Sequence, residues 1–322
     1  TLPHLFQGKL IHPVSQYPNE LLRTLRSVSP QQKLDITCVL LTPGQYNSAY
    51  YEHSFLAKQM GIELVEGGDL FVENDFVYMN SIGPKKKVDV IYRRIDDAFL
   101  DPHVFRKDSM LGVPGVMKAY LKGNVSIVNA PGTGISDDKA VCAYVPDMIK
   151  YYLGEEPIIS NVPTYICERP QDLQYTLDHI EKLVVKPVDM SGGYGVTIMD
   201  TLSKAEVEEV KEKIKANPRE FIAQPKMMLS THATYIEDEN SFEPRHIDLR
   251  TFTLMGKDFS YVLPGGLSRV ALKKDSLIVN SSQGGGSKDT WVIMDPVHAD
   301  THSHSQSQSQ GHGQNQSQSQ GK

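Results

Sequence analysis

Apolar positions in the first half of the chain alternate between helical and strand periods. Leu21, Leu22, Leu25 and Val28 recur at helical spacing behind Pro18, a residue suited to a first turn, and predict a helix over 18–28. Residues 35–41 carry the β-like run I-T-C-V-L-L and stop at Thr42-Pro43-Gly44. Asn47 or Ser48 then caps a helix reaching about Met60, with Gly61 as its stop. A strand over 62–65 follows, and strand–helix–strand is the opening of an α/β sheet. Residues 70–79 read as a hairpin turned at Asn74-Asp75. Further strands are predicted over 88–92 and 124–129, with a helix over 113–122 between them.

The second half reads differently. A strand over 163–167 and a helix over 170–180 lead to Leu183-Val184-Val185-Lys186, a β-type run ending on a lysine. After a short turn come Ser191, Gly192, Gly193, Tyr194 and Gly195, and a return strand starts at Val196. Residues 203–216 form an amphipathic helix with Ser203 as N-cap and Glu206 in the capping-box position. A strand over 221–224 ends at Gln224-Pro225. Residues 248–254 alternate, and pair with 259–263 across Gly256-Lys257-Asp258 as a hairpin. Pro264-Gly265-Gly266 then turns into 267–271, so this half is rich in antiparallel strands. From about His298 the composition collapses to Ser, Gln, Gly and His, which cannot bury enough apolar surface to fold. His298, His302, His304 and His312 are read as part of a solvated tail rather than as metal ligands. The expected division is an α/β lobe over 1–130, a second pair of lobes over 131–297 and the tail over 298–322.

At 322 residues the chain exceeds one average domain, in line with several lobes. A net charge of −6 argues against a general nucleic-acid binder but leaves room for a nucleotide site built from a few local cations. The three cysteines, Cys38, Cys142 and Cys167, have no CxxC spacing and are expected to be small buried residues of a reducing compartment. No signal peptide and no apolar run of bilayer length occurs, so a cytoplasmic setting without membrane contact is expected.

Candidate chemistry enters at three places. The glycines of 191–195 free backbone N–H groups to turn towards a phosphate, and Lys186 adds a cation to the same point. The ordinary alternative is a hairpin turn with a surface lysine. Gly132-Thr133-Gly134-Ile135-Ser136-Asp137 lacks the third glycine of a dinucleotide fingerprint and reads as a turn into a helix capped by Ser136 or Asp137. Lys139 falls in the first turn of that helix, where the dipole disfavours a cation, and an anion site would give it a reason to be there. Pro146 interrupts the pattern and Gly154 ends it. Arg93, Arg94, Asp96 and Asp97 follow a predicted strand, as either a cleft lining or a salt-bridged loop.

The order of these features resembles the ATP-grasp superfamily, and more closely its circularly permuted branch, which includes relatives of glutathionylspermidine synthase. The stretches that carry the likeness are L-T-P-G-Q-Y-N-S-A-Y-Y-E-H, V-I-Y-R-R-I-D-D-A-F-L-D-P, V-V-K-P-V-D-M-S-G-G-Y-G and N-S-S-Q-G-G-G-S-K-D-T-W, within residues 18–292. The resemblance implies an ATP-grasp core behind an α/β lobe. It implies activation of a carboxylate by ATP to an acyl phosphate, displaced by an amine to give an amide. By that resemblance Lys139 and Lys186 contact ATP phosphates, Ser191, Gly192, Gly193 and Gly195 close over them, and Gln224 and Pro225 border the adenine. Arg250 and Arg269 stabilise the phosphoryl group in flight, and Asn280, Gly284 and Gly285 line the acyl-phosphate side. Tyr46, Asn47, Arg93 and Arg94 are assigned to the small-molecule or peptide substrate.

Mg²⁺ is implied too, and here the chain departs from the family. The acidic-x-Asn stretch that holds the metal has no counterpart before Pro18, and neither Asp248 nor Asp289 stands where the resemblance puts a ligand. The expectation is a truncated product or one piece of a split enzyme, whose partner polypeptide carries the missing segment. The rival readings are a non-catalytic nucleotide-binding module and a kinase-like phosphotransferase, the latter without G-x-x-x-x-G-K-[ST].

Overall fold

The computed structural model describes residues 8–31, 33–190, 194–280 and 284–294. Helix α1 (Tyr17–Ser27) opens on Pro18 and buries Leu21, Thr24 and Leu25. Strand β1 (Cys38–Leu41) is buried at every position. Helix α2 (Tyr50–Met60) stops at Gly61, which takes the left-handed conformation at φ 66°. Its N-cap is Ala49, not Asn47 or Ser48; Asn47 Oδ1 accepts instead from the Ala49 amide at 2.9 Å, a local turn that leads into the helix.

Strand β2 (Glu63–Val65) lies parallel to β1. β3 (Leu70–Glu73) and β4 (Phe76–Met79) form the expected hairpin, and Asn74 and Asp75 at its tip have φ 50° and 65°, as its tight turn requires. β5 (Lys86–Lys87) adds to its edge. After β6 (Val90–Arg93) come the short helices α3 (Asp97–Leu100) and α4 (Val116–Leu121), then β7 (Ser126–Val128). The four parallel strands run in the order β2-β1-β6-β7. Both faces of this sheet are covered, which is why its strands read as continuous apolar runs. Val39, Leu41 and Ile91 pack with the β3–β4 hairpin and α4, while Cys38, Leu40, Val90 and Tyr92 pack with α1 and α2.

The next segment makes two 3₁₀ turns, Thr133–Asp137 and Lys139–Tyr144. Asp138 caps the second, its carboxylate accepting from the Ala140 amide at 2.8 Å, so the cap lies one residue beyond the Ser136/Asp137 pair. Pro146 does not interrupt a helix. It opens α5 (Val145–Leu153), in the first turn, where no N–H is needed. β8 (Tyr165–Ile166), α6 (Pro170–His179), β9 (Leu183–Pro187), β10 (Thr197–Ile198), α7 (Lys204–Ala216) and β11 (Phe221–Pro225) follow. The antiparallel order is β10-β9-β11-β8, with α7 started by the Ser203/Glu206 capping box. Leu183, Val185 and Ala223 face α7 and its Val207 and Ile214.

The last sheet is antiparallel in the order β12-β13-β16-β17, built from β12 (Thr231–Ile236), β13 (Ser241–Arg250), β16 (Gly265–Val270) and β17 (Gly286–Trp291). The β12–β13 hairpin carries no apolar run and escapes the sequence reading. The stretch expected as one strand over 248–254 is divided. β13 ends at Arg250, and β14 (Thr253–Met255) pairs separately with β15 (Ser260–Val262). Leu254 causes the break: it is buried with α1 and β6 rather than in the sheet that β13 belongs to. Cys142 also departs from expectation, being exposed while Cys38 and Cys167 are buried. The tail histidines lie outside the described residues.

Asp101 fixes the segment that follows β6. It is wholly buried and accepts from the amides of His103 (2.9 Å), Gly115 (3.0 Å) and Met117 (2.9 Å). Asp101→Ala strands three donors, so we expect a loss of about 3 kcal/mol or more in urea unfolding, with Asp101→Asn losing less. Equal midpoints for parent and Asp101→Ala would refute this account.

Candidate active site

Strand alternation sorts the β9 side chains. Leu183 and Val185 go to the α7 face, and Val184 and Lys186 to the other. The register sets Lys186 opposite Ile222 and Val184 opposite Gln224, so Lys186 and Gln224 share that second face. Lys186 Nζ donates to Gln224 Oε1 at 2.6 Å, and Gln224 Nε2 donates to Thr164 Oγ1 at 2.8 Å. The amine is thereby fixed by a side chain from the neighbouring strand, which is fixed in turn by the segment leading into β8.

Lys139 arrives from the 3₁₀ turn over the same face. Its amide donates to Val188 O at 3.1 Å, and its Nζ donates to Pro187 O at 2.8 Å and to Met190 O. Both amines are thus anchored towards the end of β9, Lys186 on Gln224 and Lys139 on the Pro187 carbonyl, close enough for one charge to act on the other. Burial pushes the Lys186 pKa below its ordinary 10.5, Lys139 lowers it further, and Cys142 opposes the shift. Gly195 folds the far side of the loop back onto this point. It has φ 71°, and a Cβ there would stand 2.6 Å from Pro187 Cγ. Ser191, Gly192 and Gly193 lie outside the described residues.

Beside Lys186 opens a cleft of about 250 Å³. Val184, Val196, Ile198, Met227, Leu229 and Ile278 give it apolar walls, and Lys186, Gln224, Pro225 and Lys226 give it a polar rim. Its walls come from two sheets' worth of chain: β9–β11 on one side and the β16–β17 connection on the other. The shape and lining suit a flat heteroaromatic ring with charge at one end.

That connection continues to Asn280, whose Oδ1 accepts from Arg269 Nη1. Arg269 also makes a two-pronged pair with Asp248 across the β13–β16 rung, Nε to Oδ1 at 2.8 Å and Nη2 to Oδ2, and this pairing raises its pKa. The next rung on the same sheet face holds Arg250, Leu267 and Asp289. Arg250 is exposed and has no acidic partner among the described residues. Gly285 abuts the chain before it: its amide donates to Asn280 O at 3.0 Å, and a Cβ would lie 2.2 Å from Val279 O. Gly284 has φ 83° and open space around it, so its conformation alone accounts for the glycine.

A second cavity, of about 620 Å³, lies where the strands of the parallel sheet end. β2 and β6 flank β1 on opposite sides, so the chain reverses its direction of travel across the sheet there, the usual place for a ligand crevice. Asn47, His53, Arg93 and Arg94 line it, but Tyr46 does not and is 96% exposed. Arg93 is tied up. Its guanidinium donates to Asn129 O, Ile95 O (2.7 Å) and Ala130 O (3.2 Å) and pairs with Asp97 at 2.7 Å, so it braces the ends of β6 and β7. Sequence reasoning missed His53, which is buried and held by Thr42 Oγ1 at 2.9 Å from Nδ1. A threonine just after a strand and a histidine within the next helix would have been the signal for it.

A magnesium ion would need oxygen ligands. Both Asp248 oxygens are engaged by Arg269, and among the described residues no three His, Cys, Asp or Glu side chains converge. Magnesium at a nucleotide takes as few as one or two protein carboxylates, the phosphates supplying the rest, and Asp248 as it stands is not free to be one of them.

The sequence model for circularly permuted ATP-grasp type 2 proteins matches residues 1–271. The chain belongs to this family. Its mixed α/β sheets are those of the ATP-grasp fold. It is 54% identical to the uncharacterized protein sll0335 of Synechocystis sp. over 293 residues, 91% of this chain and 60% of that protein. It is 52% identical to the uncharacterized protein Rv2411c of Mycobacterium tuberculosis, over 90% of this chain and 52% of the relative. This family member thus spans little more than half the length of these relatives. A Frankia alni protein provisionally named glutamate–cysteine ligase 2-3 is 47% identical over 79% of this chain but only 29% of its own length. Among solved structures, the ATP-grasp ligase PsnB complexed with minimal precursor aligns over 82% of this chain and 90% of its own, with a TM-score of 0.38 and 11% identity. No helix among the described residues is long and apolar enough to cross a membrane.

The depressed Lys186 pKa has a signed consequence. Below its folded pKa both states carry the charge, and the folded state bears the full burial cost. Between that pKa and 10.5 the unfolded state binds more protons, so the parent gains stability as pH rises. Urea midpoints of the parent and Lys186→Met should therefore shift in the parent's favour across the alkaline window that ends at 10.5. A difference independent of pH would show that the amine is not desolvated.

Proposed function

We propose that this chain carries the nucleotide-binding and phosphoryl-transfer part of an ATP-dependent carboxylate–amine ligase that works through an acyl phosphate. The observation that carries the reading is the anchoring of the Lys139 and Lys186 amines towards the end of β9, with Lys186 at the rim of a largely apolar cleft of about 250 Å³. Two ammonium groups brought together at the cost of burial and mutual repulsion gain most when a polyanion lies between them. Lysine has three donors. Lys139 spends two on carbonyls and Lys186 one on Gln224, so both keep N–H groups for phosphate oxygens.

In this reading the adenine lies between Val184 and Ile278, with Gln224 and Pro225 at its edge. The phosphates run past Lys186 and Lys139 towards the sheet face that bears Arg269 and Arg250. A substrate carboxylate oxygen attacks the γ-phosphorus, the bond to ADP breaks, and the guanidinium groups offset charge on the oxygens in transit. The amine then attacks the acyl carbon, phosphate departs, and the ammonium nitrogen loses a proton to give the amide. Asn280 holds Arg269 in place for both steps. The reading includes a second polypeptide, or further chain, as a source of magnesium ligands, since Asp248 is committed to Arg269. A cytoplasmic setting, where Cys38 and Cys167 remain thiols, belongs to the same reading.

The commitment of both Asp248 oxygens to Arg269 favours one other reading, a module that binds nucleotide without turnover. Hydroxylamine separates the two. Supplied as the amine, it should convert the acyl phosphate to a hydroxamate with one ADP released per hydroxamate formed. Lys186→Met should weaken ATP binding about tenfold or more, ~1.4 kcal/mol. A nucleotide-dependent thermal shift with no ADP, even after adding the remainder of a full-length relative, decides for the binding module. ADP accompanied by a phosphorylated alcohol and no hydroxamate decides for a kinase.

A further inference from the structure

Arg94 stands between two cavities and lines both. One is the polar strand-end cavity with His53, Asp96 and Asp137. The other, of about 610 Å³, lies where α1 and α2 meet the chain on either side of the β14–β15 hairpin, and Tyr17, Phe55, Tyr92, Phe252 and Leu263 line it. The charge of Arg94 is felt in both: it helps depress the His53 pKa, second to burial, and it opposes the rise that burial and Tyr92 impose on Tyr17.

The guanidinium has no carboxylate partner among the described residues. It touches Tyr92, the hydroxyl at 3.4 Å and the ring centroid at 6.0 Å. Neighbouring Arg93, by contrast, is buried and committed to three carbonyls and Asp97. The aromatic cavity contains no acidic side chain, so an amine has nothing to pair with there. A planar fork with free donors at the mouth of an aromatic cavity matches a carboxylate attached to a bulky apolar group.

We infer that Arg94 and the aromatic cavity form a binding site for a carboxylic acid with a ring-bearing or branched apolar substituent, the carboxylate on the guanidinium and the substituent among Tyr17, Phe55 and Phe252. This deepens the ligase reading by giving the chemical class of one substrate. The 3₁₀ turns link the site to the nucleotide cleft, because Asp137 lines the polar cavity and Lys139 stands two residues later.

Calorimetry without nucleotide tests it, with 3-phenylpropanoate, acetate and 2-phenylethylamine as probes for the full chain. Only 3-phenylpropanoate should bind. Arg94→Gln should weaken it about tenfold or more, the tenfold being ~1.4 kcal/mol, while Arg94→Lys retains part of the affinity. Phe55 is 47% exposed, so Phe55→Ala should fold normally and still reduce binding severalfold. Binding of the amine as tight as the acid, affinity unchanged in Arg94→Gln, or no binding by the parent overturns the inference. ATP binding measured in the same variants should be unaltered. Acid binding that persists when no hydroxamate forms would leave this site standing and remove the ligase reading alone.

Discussion

The proposed chemistry depends on a half-buried ammonium group that feels the charge of a second one. Lys186 is half-buried on β9, and Lys139 is delivered to the same place by a 3₁₀ turn that the dipole argument makes unfavourable for a cation. Among the described residues neither forms an ion pair with an acid; Lys186 donates to Gln224 and Lys139 to two backbone carbonyls. A fold selected for stability alone would pair or expose such groups. Much nearby structure serves to hold them. Gln224 is steadied by Thr164, the Asp138 cap is pinned by Arg219 at 2.6 Å, and Gly195 leaves room for Pro187.

The parallel sheet applies the opposite strategy to its own strand end. Arg93 and Arg94 are adjacent and line the same cavity, but their partners differ. The first is spent on architecture: it gathers the carbonyls that end β6 and β7 and the carboxylate that opens α3. The second is left with an aromatic hydroxyl. The crevice stays open because one arginine braces its walls, and it keeps a charge because the other is not consumed in doing so.

How much of this is legible in sequence depends on where each determinant acts. The Ser203/Glu206 box, the Asn74-Asp75 turn and the Gly61 stop are local devices, and the structure contains them as read. The placement of Lys186 on a strand end follows from composition over four residues. Asp138 as the cap and the division of 248–254 depend on neighbours distant in sequence, Arg219 for the first and the α1 core around Leu254 for the second, whereas Pro146 as a helix start is a local signal open to the opposite reading. β12 and β13 are exposed along much of both faces, so they lack the apolar alternation that marks a strand. The exposed Cys142 near Lys186 is equally invisible, since burial of a cysteine is decided by the packing of other segments.

The sheet face with Arg269 carries a further constraint on the proposed chemistry. Arg269 is balanced by Asp248 through two hydrogen bonds, so the pair presents little net charge to an approaching phosphate. One rung away, Arg250 has no acidic partner among the described residues, and the register points it to the same side. Charge offered to an anion there comes first from Arg250. Arg269 contributes direction, because its fork is set by Asp248 and Asn280 before any ligand arrives. A donor already oriented needs no reorganisation during phosphoryl transfer, and that is where a neutralised arginine still lowers a barrier.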